Sequence, residues 1–405
     1  MLQYTFSLPT TIRFGVGAVK EAGVCAKSLG ATHVMIVADQ GVIRAGLTRD
    51  VETSLRDADI PYTYYDKIVP NPRDYHCVEG YETARAAGID CLVAVGGGSS
   101  MDTAKAIGTL LTHGGKVQDW CGADKLLRPI TPLIAIPTTA GTGSEVTPFA
   151  VVTDSETHVK LNIFDAKAAP KIALVDPTML MGLPPHIMAA TGIDAMTHAV
   201  EAYTCKLVVP HTDAYALYAI KLISKNLRNA VNNRSLGACT GMMLGSTIAG
   251  IAFGYSDVAA VHCMAEALGG RYDLPHGVAN AILLPTVTAY NLPANTKKYA
   301  DVAEAMGLDV TGKTAEEAAA ACVDGLRQLC TDVGIKPMRE HPEIKPEDFR
   351  ALSVAAMANV STPSNPREMT VEAFEELFQN LSTMFLINTS ERRINNIWNI
   401  DFVEL

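Results

Sequence analysis

The apolar positions along the chain fall into two regimes. Through the first half, short β-branched runs alternate with stretches of helical composition. Val34–Ala38, Cys91–Val95, Leu133–Ile136 and Ile172–Val175 are each followed by turn residues. Runs that are apolar at every position mark strands buried on both faces, so these segments predict the parallel strands of βα units. The residues from Leu2 to Phe6 alternate instead, as a half-exposed strand does. After Asp176-Pro177 and Leu183-Pro184-Pro185 the period lengthens to that of helices, over 213–230, 314–333, 346–360 and 370–384, and no comparable strand run follows. The pattern predicts an α/β domain over residues 1–180 and an all-α domain over 181–405, with the ligand cleft between them. The stretch 386–405 is rich in Asn, carries Trp398 and Phe402, and suggests no function.

One segment imitates a membrane span, because no charge interrupts the chain from Ser235 to Ser256. Gly237, Gly241 and Gly245 recur there every four residues among Ala, Ser and Thr. That spacing also lets soluble helices approach closely, so the segment reads as the buried central helix of the second domain, with no membrane partner. A length of 405 residues supports two cores. Thirty-three basic against 43 acidic residues give a net charge of -10, and no Lys/Arg block occurs, which argues against nucleic acid and for a small-molecule partner. Nine cysteines lack CxxC pairing and no signal peptide opens the chain, which points to a reducing cytoplasm.

Asp194 and His198 stand four apart in an Ala-rich helical stretch, so both project from one helix face. With His262 and His276 they make one carboxylate and three imidazoles, a set that suits Fe(II), with Zn(II) or Mn(II) as alternatives, and leaves room for a substrate oxygen. Singly, each is an ordinary cap or core residue; together with the loops that precede them they read as one open, catalytic metal site. The first loop, Gly96-Gly97-Gly98-Ser99-Ser100-Met101-Asp102, follows a buried strand and opens a helix, where free N–H groups favour an anion such as a dinucleotide pyrophosphate. It is neither a GxGxxG fingerprint nor a Walker loop. The second, Pro137 to Glu145, offers Thr138, Thr139 and Thr142 after the next strand, and two such loops face one crevice. Asp39 ends the first strand, where a carboxylate holds both hydroxyls of an adenosine ribose and repels a 2'-phosphate, so the expected cofactor is NAD(H).

These motifs, with Phe14-Gly-Val-Gly-Ala18, Pro70-Asn71-Pro72, Asp176-Pro177 and Pro275-His276-Gly-Val-Ala-Asn-Ala281, resemble the iron-containing (group III) alcohol dehydrogenase family over nearly the whole chain. The resemblance implies a dehydroquinate synthase-like fold, a homodimer or larger homo-oligomer, and Asp194, His198, His262 and His276 as the metal ligands. It places Asp39, Asn71, Gly97, Gly98, Ser99, Thr138, Thr139, Thr142 and Lys160 at the cofactor, with Lys160 near the nicotinamide ribose; Asp102 belongs to the same loop. Two departures from the family pattern matter. A histidine common four residues after the third ligand is Glu266 here, and the run before that ligand reads Phe253-Gly-Tyr-Ser-Asp257. The implied activity is reduction of a short aldehyde, or oxidation of the alcohol, with Glu266 and Lys160 as candidate proton-handling residues and Phe149, Phe253, Asp257 and Arg271 as candidate pocket residues. An anionic, sulfonate- or carboxylate-bearing substrate and an unbranched alcohol or diol both remain open. A lyase of the same fold is disfavoured because the metal-site region offers it only Arg271, and a zinc glycerol dehydrogenase is disfavoured by the His198 and His262 pair. A silent nucleotide-binding subunit is disfavoured by the intact ligand set.

Overall fold

In the computed structural model, which describes residues 4–157 and 159–383, the four expected runs lie in one six-stranded parallel sheet. Its strands are β1 (Thr11–Phe14), β2 (Val34–Val37), β3 (Tyr62–Tyr65), β4 (Cys91–Gly96), β6 (Leu133–Pro137) and β9 (Ile172–Val175), in the order β1-β9-β6-β4-β2-β3. β5 (Gly122–Ala123), β7 (Phe149–Thr153) and β8 (Lys160–Phe164) form a second, small sheet in the order β5-β8-β7.

The sheet explains why whole runs are apolar. Ile36, Val93 and Ile134 point into one core, which continues into the helical half, while Met35, Leu92 and Leu133 point into a second core on the opposite face. All six side chains are fully buried, so neither face tolerates the polar positions of a half-exposed strand.

The last strand ends at Val175, a short 3-10 turn spans Pro177–Leu180, and the first long helix starts at Pro185. Among the described residues, everything beyond is helix and connection. Helices Pro185–Thr204, Pro210–Asn232, Leu236–Gly254, Ala260–Tyr272 and His276–Asn291 pack around one another, and Thr296–Ala305, Ala315–Asp332, Phe349–Met357 and Val371–Thr383 complete the layer. The sequence marks the ends of these helices locally. Thr314 and Glu317, for instance, form a reciprocal cap, Thr314 Oγ1 accepting from Glu317 N at 3.2 Å and Glu317 Oε2 from Thr314 N at 2.8 Å.

Leu236–Gly254 is the one described helix long and apolar enough to cross a membrane, and most of it is buried inside the protein. A Cβ on Gly241 or Gly245 would stand 2.2 Å from Asn226 Nδ2 or 2.9 Å from Ile223 Cγ1, so these two glycines allow the close approach of helix Pro210–Asn232. Gly237 faces open space and has no such role.

The alternating start is corrected. Residues 1–3 lie outside the described residues, and Tyr4 to Pro9 is not a strand. Phe6 instead stacks on the His211 ring (centroids 5.2 Å, planes 5° apart) and meets Tyr255 at 5.2 Å, so its apolar face packs on the helical half rather than on a sheet. The 386–405 stretch also lies outside the described residues.

Candidate metal centre and dinucleotide cleft

Asp194 and His198 project from the middle of helix Pro185–Thr204, His262 from the first turn of Ala260–Tyr272, and His276 opens helix His276–Asn291. One ligand atom from each lies within 4.8 Å of the others. Asp194, His198 and His262 are buried and His276 is half-exposed, which leaves one open side.

The electrostatics of the four fit a cation. Burial holds His198 and His262 down to about 3, and their like-charged neighbours add to it, so both rings are neutral and carry lone pairs. Burial alone would raise Asp194, but His198, His276 and His262 outweigh it and hold the carboxyl below its usual value.

Asn280 Nδ2 lies 2.6 Å from Asp194 Oδ1, 3.2 Å from His262 Nε2 and 3.1 Å from His276 Nε2, so three acceptors converge on one point. His198 Nδ1 is buried without a hydrogen-bond partner, as is Asn280 Oδ1. Converging lone pairs beside an unpaired buried nitrogen are what a bound divalent ion satisfies.

Glu201 lies outside the sequence expectation. Its Oε2 takes a hydrogen bond from His262 Nδ1 at 2.6 Å, and its two oxygens accept from Ala259 N at 2.9 Å and Val261 N at 2.7 Å. This fixes the His262 tautomer with its Nε2 lone pair toward Asp194. Burial pushes the Glu201 carboxyl up to about 7 against the pull of these donors. The i, i+3 spacing of His198 and Glu201 on one helix was the available signal.

The aromatic candidates come together at the same place. Phe253 stacks on His198 (4.0 Å, 10°) and Phe149 lies 5.4 Å from Phe253. Asp257 does not join them. Its carboxylate accepts from Ser361 Oγ at 2.8 Å and from Ser364 Oγ, and so binds the 361–364 segment.

The loop residues sit at the carboxyl ends of the central strands. β4 ends at Gly96, and helix Gly98–His113 starts from Gly97 with no side chain capping its first N–H groups, which stay available to an anion. A Cβ on Gly98 would lie 3.0 Å from Thr142 Cγ2, so the absence of a side chain brings the two loops together. Thr138 N donates to Gly96 O at 3.0 Å. Asp39 caps helix Gln40–Arg44 through Oδ1, which accepts from Gly41 N at 2.7 Å and Val42 N at 3.0 Å, and Oδ2 is left toward Gly96.

The structure gives Asp102 partners within the protein. Its carboxylate accepts from Ser144 Oγ at 2.7 Å and Val151 N at 3.2 Å and stands 3.7 Å from Lys105 Nζ. Lys105 is wholly buried and donates to Ser144 Oγ at 2.7 Å, Thr147 Oγ1 at 3.2 Å and Phe149 O at 2.7 Å. Together they anchor the second loop from beneath. Gly143 (φ 59°) carries the same loop onto helix Leu236–Gly254, where a Cβ would lie 2.5 Å from Gly250 Cα, and Glu145 accepts from Thr247 Oγ1 at 2.7 Å.

Lys160 donates to Asn71 Oδ1 at 3.2 Å and Thr153 Oγ1 at 3.1 Å, and its pKa is lowered by burial. Glu266, one turn beyond His262, has its carboxyl raised by burial against the opposing fields of His276 and Lys160. Asn359 Nδ2 donates to Glu266 Oε2 at 2.7 Å; because Asn359 Oδ1 accepts from Ser361 N at 2.9 Å, the orientation of that amide is settled. Arg271 sits at the rim of the cleft, bonded to Asp348 at 2.7 Å.

Residues 9–177 match the family described as iron-containing alcohol dehydrogenase, and residues 188–382 its C-terminal part. The chain is similar to the NAD-dependent methanol dehydrogenase of Bacillus methanolicus (38% identical, covering 93% of this chain and 99% of the relative). It is similar also to the 1,3-propanediol dehydrogenase of Citrobacter freundii (40%, 93% and 98%). A crystal structure of 1,3-propanediol oxidoreductase superposes with a TM-score of 0.91 at 39% identity, over 94% of this chain and 100% of that one.

Proposed function

The chain belongs to the iron-containing alcohol dehydrogenase family, and from that premise we propose that it is a metal-dependent, NAD(H)-linked reductase of short-chain aldehydes that also oxidises the corresponding alcohols. The observation that carries this reading is the convergence of Asp194, His198, His262 and His276 on one point, open on the His276 side. When bound, a divalent ion supplies Lewis-acid polarisation of a carbonyl oxygen and the nicotinamide supplies the hydride.

The protein's own part is to hold and to exclude. Glu201 orients His262, and Phe253 and Phe149 close one side of the centre to water. Uncapped N–H groups after Gly97 receive the pyrophosphate, and Asp39 Oδ2 takes the adenosine ribose. Lys160, held by Asn71 and Thr153, lies at the nicotinamide ribose. Glu266 exchanges the proton that the substrate oxygen gains on reduction, its second oxygen remaining once Oε2 is bonded to Asn359. The two named relatives, one for methanol and one for 1,3-propanediol, support a short substrate. All nine cysteines are unpaired, which supports a cytoplasmic enzyme; assembly as a homodimer or larger is part of the same reading.

The test is direct. Protein purified without oxygen is assayed for bound metal, and NADH absorbance is followed with a panel of short aldehydes. Stoichiometric metal and aldehyde-dependent loss of NADH are expected; a metal-free protein inert toward every aldehyde would overturn the reading.

A further inference from the structure

The two places where the chain departs from the family pattern, Asp257 and Glu266, bond to one segment, 359–364. This segment follows helix Phe349–Met357 and meets the helix of His262 and Glu266 again at Cys263, whose sulfur lies 3.3 Å from Thr362 Oγ1. Its far end is tied down on several sides. Asp257 accepts from Ser361 Oγ at 2.8 Å and from Ser364 Oγ, Thr362 Oγ1 donates to Ala356 O at 2.7 Å, and Ser364 O accepts from Lys206 N at 2.8 Å. Ser361 and Thr362 are buried, so Asn359 projects from a fixed base.

Asn359 can offer Glu266 only a donor. Its Oδ1 accepts from Ser361 N at 2.9 Å in an Asx turn, which leaves the Nδ2 group to donate to Glu266 Oε2 at 2.7 Å. Glu266 is half-buried, and Asn359 is its one hydrogen-bond partner among the described residues. A donor lodged on Oε2 keeps that oxygen an acceptor, so the acid form of Glu266 carries its proton on Oε1. An acceptor at position 359 would do the reverse, either drawing the proton to itself or standing as a second negative charge against the first. The polarity of residue 359 is therefore matched to a carboxylate at 266.

We propose that Asn359 is a positioning residue of the reaction: as a fixed donor it aims the Glu266 carboxylate, presents Oε1 for proton exchange, and makes glutamate, rather than the histidine common in the family, the competent residue at that place. This role rests on the reductase reading above and adds to it what sets the acting atom. In reduction the carbonyl carbon takes hydride from NADH, the carbonyl oxygen takes the Oε1 proton, and the carboxylate that remains takes a proton from water. Asn359 acts through Glu266 alone.

The experiment exchanges the donor for an acceptor in two backgrounds. Asn359→Asp keeps an oxygen for Ser361 N, so the turn and the segment stay formed. With Glu266 present, this change is expected to lower kcat for NADH-dependent butanal reduction by roughly tenfold, the coupling of two groups in one hydrogen-bond contact, with KM for NADH and bound metal little changed. In the Glu266→His background the same Asn359→Asp change should raise kcat several-fold, because an imidazole N–H needs an acceptor where the amide offers only a donor. Opposite signs mark a direct partner, since a residue that only holds the fold would lower both rates. A change of the same sign in both backgrounds, or an unaltered kcat with Glu266 present, would overturn the role of Asn359 and leave the reductase standing. A protein inert toward every aldehyde would overturn the reductase and this role with it.

Discussion

Glu201 Oε2 stands 2.6 Å from Nδ1 of His262, and the same carboxylate holds the backbone N–H groups of Ala259 and Val261. Every partner of this carboxylate is a donor, so an amide in its place turns an NH2 group toward one of them. Glu201→Gln is therefore expected to weaken metal binding by about 10- to 100-fold. Residual metal after dialysis against a graded series of chelator concentrations checks this; retention equal to the unaltered protein would make Glu201 irrelevant to the ligand.

Removal of a ligand has a sharper outcome. Asp194→Ala or His276→Ala should lose the metal and nearly all turnover, since the remaining donors hold the ion poorly. NADH binding, followed by fluorescence, should survive because the loops at Gly97 and Thr138 lie on other elements. Full metal occupancy with a normal rate in either variant would refute the ligand set.

Asp39 has two tasks on two oxygens, and they can be separated. Serine keeps an N-cap acceptor for Gly41 N and Val42 N while removing the charge. Asp39→Ser should narrow an initial preference for NADH over NADPH by roughly tenfold, one like-charge contact being worth on the order of 1.4 kcal/mol. Equal efficiency with both cofactors before any substitution would remove Asp39 from the ribose site.

The sign of the pH effect at Glu266 follows from its raised carboxyl pKa. Its protonated form persists above the usual carboxylate range, so aldehyde reduction should slow as pH rises through the shifted pKa, and alcohol oxidation should slow as pH falls through it. Glu266→Gln cannot exchange the proton and should lower kcat and remove that limb, with metal content intact; Glu266→His should restore part of the rate. A Gln variant with the original profile would leave Glu266 as a helix residue held by Asn359 and nothing more.

Lys105→Met leaves Asp102 without its cation and frees the hydroxyls of Ser144 and Thr147. Breaking such a pair on one side costs about 3 to 5 kcal/mol, so thermal unfolding should move sharply downward. KM for NADH should rise more than KM for aldehyde. A variant of unchanged melting temperature would contradict the burial of this lysine.

The strands legible in the sequence were those apolar at every position, because both faces of β2, β4, β6 and β9 meet a core. β3 (Tyr-Thr-Tyr-Tyr) is not legible because it is an edge strand with half-buried polar groups, and the small sheet of β5, β7 and β8 is not because Lys160, Asn162 and Phe164 break the pattern. The four ligands were legible because a helix repeats its face every four residues and histidines are scarce. Glu201 and Asn280 were not, since an acid or amide on a helix is ordinarily solvated and only the fold shows that these two face inward. The bonds of Asp102 to Ser144 and Val151 are not legible for a related reason: a loop motif shows which residues lie together, but not which way each side chain turns.

The contact between Gly143 and Gly250 has the character of a pivot. It joins backbone to backbone, so the spacing of the cleft at that point is set by main-chain atoms that no rotamer change can adjust. The threonines of the cofactor loop and the histidines of the metal centre therefore share one main-chain contact as their common frame of reference.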